Sequence, residues 1–208
     1  MTEVYYYIPA DEADNAVECG IKLSQWFDKE VLINGEMKKA ISAFLNPKDD
    51  LEKYKSKMLR CLKLEIQSKH CFVADKYLYQ VGLNNPEVMS AYQRSIIPLE
   101  NYIFGSYRLP ECIVTSTAIS GQVAIADMRL DSPILFGNSE DLYVNNAIEI
   151  HKETYEDFND AMLYSFYCKI AQEGKFSKFE DEEKKTAVFI DTRKEKVFIT
   201  KITDFSKY

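Results

Sequence analysis

Residues 30–45, EVLINGEMKKAISAFL, carry the decisive clue to the fold. Glu30 to Ile33 is a short apolar run. Asn34-Gly35 follows, the residue pair that best tolerates the positive φ angles of a type I′ turn. The chain resumes at Lys38 to Leu45 and stops at Asn46-Pro47. This pattern predicts a β-hairpin, and hence an antiparallel element in the first quarter of the chain.

Outward from the hairpin, short strands and short helices alternate without a βαβ rhythm. Residues 3–9, EVYYYIP, form an aromatic strand that ends at Pro9. Asp11-Glu12 opens a helix with Ala13, Ala16 and Val17 apolar, and Gly20 closes it. Residues 21–27 are a further helical turn or a loop, and 48–57, KDDLEKYKSK, a charged helix or loop. In 59–66, LRCLKLEI, Leu62, Leu64 and Ile66 face one way and Lys63 and Glu65 the other, the signature of a half-buried strand. Residues 70–74, 111–117 and 122–127 are expected strands, the last two split by Ser120-Gly121. Residues 84–97 are an expected helix with Pro86 in its first turn.

The second part of the chain changes character. Residues 139–173 are expected to form one long helix, with Ser139 as cap, Glu140-Asp141 in the first turn and Gly174 as stop. Tyr155, Phe158, Met162 and Phe166 recur at helical spacing and predict its buried stripe. Residues 175–185 are expected to be a charged linker, its EDEEKK run a solvated turn. Thr186 to Asp191 and Lys196 to Thr203 are an expected terminal hairpin. Short strands with segregated helices predict an α+β fold. We expect a domain over 1–130 and a helical and hairpin extension over 131–208 packed on it.

Composition narrows the function classes. The net charge of −7 argues against broad binding to nucleic acid and makes duplex DNA the least attractive partner. No run of about 18 apolar residues is present, so no transmembrane helix is expected. The N-terminus lacks a basic start and an apolar signal core, so a cytoplasmic location is expected. The five cysteines include no CxxC pair, which predicts reduced, buried thiols and no metal site. His70 and His151 are expected to be structural. Neither GxGxxG nor GxxxxGK[ST] occurs, so a nucleotide would need a scaffold other than a Rossmann or P-loop fold.

Four ordered segments point to such a scaffold. They are Tyr6-Tyr7-Ile8-Pro9 with the following Cys19-Gly20-Ile21; Phe44-Leu45-Asn46-Pro47-Lys48 with Leu51 and Tyr54; the 62–66 strand with Cys71 to Asp75; and Pro110-Glu111-Cys112-Ile113-Val114 with Val123-Ala124-Ile125. Over about residues 4–127 this series resembles the ADP-ribosyltransferase-like superfamily. It is closest to the pattern of the DarT-type enzymes, which modify bases of single-stranded DNA. Tyr7 stands where that pattern has His, and Lys48 where it has Arg, which keeps the charge but loses the planar fork.

The resemblance implies a split β-sheet core and NAD-dependent ADP-ribosyl transfer or NAD glycohydrolysis, with NAD as substrate, no metal and an unknown acceptor. Glu111 would bond the ribose and stabilise an oxocarbenium-like transition state. Lys48 would meet the diphosphate or assist the acceptor. Tyr7 and Asn46 would hold the nucleotide, and Tyr54 or Phe44 would stack on a flat ring. Two alternatives stand beside it: an inactive module that binds NAD or ADP-ribose on the same scaffold, and a protein-partner or homo-oligomer module built on the C-terminal region. An RNA 2′-phosphotransferase-like role ranks below these, because its basic phosphate-binding residues are not evident.

Overall fold

The computed structural model describes residues 1–126, 137–191 and 193–208. They form two compact units, Met1–Asn146 and Ala147–Tyr208. The expected boundary at 130/131 lies outside the described residues.

The N-terminal unit is built on a mixed series of elements. They are β1 (Thr2–Pro9), α1 (Ala13–Cys19), α2 (Leu23–Trp26), β2 (Lys29–Ile33), β3 (Glu36–Phe44), α3 (Leu51–Lys55), β4 (Leu59–Ile66), β5 (Cys71–Asp75), α4 (Lys76–Gly82), α5 (Pro86–Ser95), β6 (Ile97–Pro98), β7 (Pro110–Val114) and β8 (Val123–Ile125). The strands join in the order β6-β5-β7-β3-β1-β4-β8, with β2 paired to β3. These pairings are antiparallel, and the expected Asn34-Gly35 hairpin is the β2–β3 pair among them. Asn34 and Gly35 both have positive φ, 53° and 81°. Mixed α and β structure with a large antiparallel sheet is therefore the architecture.

Apolar side chains fill both faces of this sheet. On one face Val4, Ile41, Leu62, Leu64, Cys112 and Val114 pack with Ala13 and Ala16 of α1. On the other, Val31, Ala74 and Ile113 pack with Tyr92 of α5, flanked by Leu78 and Tyr79 of α4. Burial on two sides explains why β7 is buried at all five positions instead of alternating. Gly20 closes α1 at φ 79°, and a Cβ there would lie 2.4 Å from the Ala118 carbonyl oxygen. Glycine is therefore required at this point for conformation and for space. Helix α4 was not foreseen. It starts directly after β5 because Asp75 accepts from Tyr77 N at 3.0 Å and caps it.

The C-terminal unit differs from expectation in three places. Residues 139–173 form two helices, α6 (Ser139–Thr154) and α7 (Phe158–Gln172), rather than one. The break falls where the Asp157 carboxylate accepts from the Tyr208 hydroxyl, a tertiary contact that local sequence does not reveal. The charged linker contains a strand, β9 (Ser177–Asp181), which pairs with β10 (Thr186–Asp191), itself paired with β11 (Lys196–Lys201). The turn that follows, from Glu182 to Lys185, is solvated as expected.

The expected buried stripe is out of phase. Met162 is 39% exposed and Phe166 60%, and Tyr155 and Phe158 are half-buried. Ala161 is buried instead, and Tyr164 and Tyr167 turn their rings to the sheet, with Tyr167 at 4.9 Å from Phe198 and 5.4 Å from Phe189. Helix α7 is apolar on several sides, so periodicity alone does not select the face that the sheet takes. Among the described residues no helix is long and apolar enough to cross a membrane.

Candidate functional site

Residues expected at a site come together on neighbouring strands. Lys63, Tyr5, Phe44, Glu111 and Ala74 are partners in one continuous row across β4, β1, β3, β7 and β5. Register partners in an antiparallel sheet share a face. Tyr7 lies two residues beyond Tyr5, so it shares that face too. Its ring meets Phe44 edge-on at 5.9 Å. Its hydroxyl donates to the Pro47 carbonyl oxygen at 2.5 Å, which ties the Asn46-Pro47-Lys48 turn to β1.

That bond commits the phenol proton, so toward a ligand Tyr7 is an acceptor. Burial, with Cys61 beside it, raises the Tyr7 pKa and keeps the proton in place. The Asn46 side chain accepts from Lys48 N at 2.9 Å and shapes the turn. Lys48 itself is half-buried. Tyr54 is half-buried in α3, whose start is capped by Asp50 accepting from Lys53 N.

Glu111 is the most constrained of these residues. It is 0% exposed. Lys29 Nζ lies 2.7 Å from both carboxylate oxygens. Tyr92 donates to Oε1 and Ser42 Oγ to Oε2, each at 2.9 Å. The Lys29 ammonium also sits 4.3 Å from the Tyr79 ring centroid. These four contacts occupy the roughly four lone-pair positions of a carboxylate. A ribose hydroxyl could reach Glu111 only if Lys29, Tyr92 or Ser42 withdrew.

Sequence reasoning did not find Lys29, Ser42 or Tyr92. Ser42 carried a signal, since it precedes Phe44 by two and so shares its face. Lys29 and Tyr92 are brought in by β2 and α5, and nothing local in the sequence marks them.

Two further amines complete the corner. Lys76 Nζ lies 4.8 Å from the centroid of Phe44, and Lys53 Nζ 5.5 Å. Phe44 is 3% exposed, so an aromatic ligand could stack on it only if these lysines moved aside. Lys53 is 3.6 Å from Asp50. Among the described residues no ion pair involves Lys76. Burial, then the neighbouring Lys53 charge, lowers its pKa. An amine in that state gains more from an incoming anion than a solvated lysine does.

Other candidates have structural partners. The Asp75 carboxylate caps α4 and accepts from Arg108 N at 3.0 Å. The Arg108 side chain is exposed and paired with Glu140, a surface role. Asp49, beside Lys48, accepts from Ser139 N at 2.8 Å and Ser139 Oγ at 2.9 Å, and so holds the start of α6. Burial raises the Asp49 pKa to about 6 against those two bonds. His151 stacks on Phe158 at 5.1 Å. The five cysteines are free, and among the described residues no cluster of His, Cys, Asp or Glu could hold a metal ion. Comparison with known proteins finds no matching family model, no similar curated protein and no similar solved structure.

Proposed function

We propose that the N-terminal unit is a binding module for an anionic nucleotide of the NAD or ADP-ribose kind, with Glu111 serving the scaffold rather than the chemistry. The observation that carries this reading is the Lys76 amine. It is half-buried against the Phe44 ring, whose other neighbours are Tyr7 and the Lys53 amine. A diphosphate would neutralise both amines, and the Tyr7 oxygen would accept from a ribose hydroxyl. The saturated ion pair of Glu111 supports binding without turnover.

A second reading is NAD-dependent ADP-ribosyl transfer or NAD glycohydrolysis to an unknown acceptor. The row that aligns Glu111 with Phe44, two residues from Tyr7 on β1, favours it. It requires Lys29 to release the carboxylate so that Glu111 can meet the ribose while Lys48 meets the diphosphate.

One pair of measurements separates the two. Thermal shift with millimolar NAD or ADP-ribose, on the native chain and on Lys76→Ala, reads binding. Nicotinamide release, on the native chain and on Glu111→Gln, reads chemistry. A shift that Lys76→Ala removes, with no nicotinamide released, is the expected result. Release that Glu111→Gln abolishes would move the conclusion to the transferase. No shift with either nucleotide would end both readings.

A further inference from the structure

A small polar cavity opens in the N-terminal unit, away from the Lys76 corner. Its volume is about 140 Å³, and it is lined by Ile66, Gln67, His70, Ser116, Thr117 and Gln122. Ile66 ends β4, His70 stands just before β5, and Ser116 and Thr117 follow β7. Cys61, the register partner of Tyr7, lies roughly 16 Å from Ile66 along β4 at the rise of a strand. The cavity is therefore separate from the nucleotide corner.

The hydrogen bonds within the fold leave this cavity with donors. Thr117 Oγ1 accepts from Leu23 N at 3.1 Å, so its O–H is left to donate. Gln122 Oε1 accepts from Ile119 N at 3.1 Å, which fixes the amide and leaves its NH2 to donate. Ser116 Oγ and the His70 ring have no hydrogen-bond partner among the described residues. The His70 backbone is held, since its carbonyl accepts from Thr115 N at 3.0 Å and Thr115 Oγ1 at 3.2 Å. No carboxylate is among the lining residues, so nothing in the lining repels an anion.

We propose that this cavity binds a small oxyanion of phosphate or sulfate size. Such an ion only accepts hydrogen bonds, and Ser116, Thr117, Gln122 and His70 each have a donor to give it. A whole nucleotide needs a pocket of about 300 Å³ or more, so it does not fit. The ligand is either the free ion or the phosphate end of an ester whose remainder lies outside. Ser116, Thr117 and Gln122 are neutral donors, which give weaker bonds than charged ones, so the affinity is modest.

NMR of the full chain tests this, because the chain has two His residues. His70 lines the cavity, and His151 lies in the C-terminal unit, stacked on Phe158, as an internal control. Inorganic phosphate is added at fixed pH and ionic strength, balanced with chloride. The His70 ring signals, identified by their loss in His70→Gln, should shift and saturate in roughly the millimolar range while those of His151 stay. Gln122→Glu keeps an oxygen for Ile119 N but replaces the amide donor with a repelling charge, and should abolish the saturable shift. Ser116→Ala should weaken binding about fivefold. Melting curves of both variants read the fold separately. Methyl phosphate titrated in the same way identifies the source: binding as tight as inorganic phosphate assigns an ester-borne phosphate, and no binding assigns the free ion. Unsaturable drift of both His residues together overturns the site. So does unchanged affinity in Gln122→Glu or in Ser116→Ala.

Discussion

Strands β7 and β11 solve the same problem in opposite ways. In β7, Pro110–Val114, all five residues are buried because both faces of the sheet are covered. A charge in such a strand must bring its own partners, and Glu111 has four contacts from three other elements. In β11, Lys196–Lys201, only the side toward α7 is buried, and Val197 and Ile199 face outward without cover. The first arrangement spends polar contacts to keep a carboxylate inside. The second leaves apolar side chains on the outer side of the strand. Burial on two faces therefore requires that polar groups be satisfied inside, whereas burial on one leaves the second face to solvent.

The largest test of this contrast is the buried pair itself. Lys29→Met should destabilise the N-terminal unit by about 3–5 kcal/mol, because it strands a carboxylate in the core. Adding Glu111→Leu should recover most of that loss in urea unfolding, since two apolar groups then replace two charges. A small single-variant effect would mean that Glu111 can reach water, and would bring back the transferase reading.

Next in size is Gly20→Ala. A positive φ and the Ala118 carbonyl at 2.4 Å should together cost about 1–3 kcal/mol, visible as a lower melting temperature.

A gentler probe is the pH dependence of Asp49. Its folded pKa, about 6, lies above the ordinary 3.8, so the folded state binds the proton more tightly than the unfolded chain does. Stability from this group is therefore present at low pH and falls as pH rises from about 4 to about 6. Asp49→Asn should flatten that part of the stability profile. A slope that is unchanged would place the titration elsewhere.

Smallest of all should be Val197→Thr on the open face. The change should move the stability of the C-terminal unit by no more than about 0.5 kcal/mol, measured by urea unfolding. A large loss would show that the face is covered within the chain, and would erase the contrast with β7.

The same contrast explains what could be read in advance. The Asn34-Gly35 turn, the alternation of residues 62–66, the Pro86 start and the Gly20 stop are local signals, and each element stands where it was expected. Strand β9 was hidden because its residues are mostly charged and its pairing with β10 is what makes it a strand. At the candidate site, Tyr7, Phe44 and the Asn46-Pro47-Lys48 turn were legible as a set, and the structure does bring them together. Lys29, Tyr92 and Lys76 were not, since their roles depend on which helix or hairpin lands on which face.

By itself the sequence determined the Asn34-Gly35 hairpin, the 59–66 strand, the helices that stop at Gly20 and start at Pro86, and the mixed α and β class. These follow from turn chemistry and from periodicities of two and 3.6 residues, which act over a few neighbours. Tertiary structure decided which face of α7 meets its sheet, how Glu111 is neutralised and where apolar surface stays open. Such outcomes depend on groups far apart in the chain that meet only after folding, and no local pattern encodes the meeting.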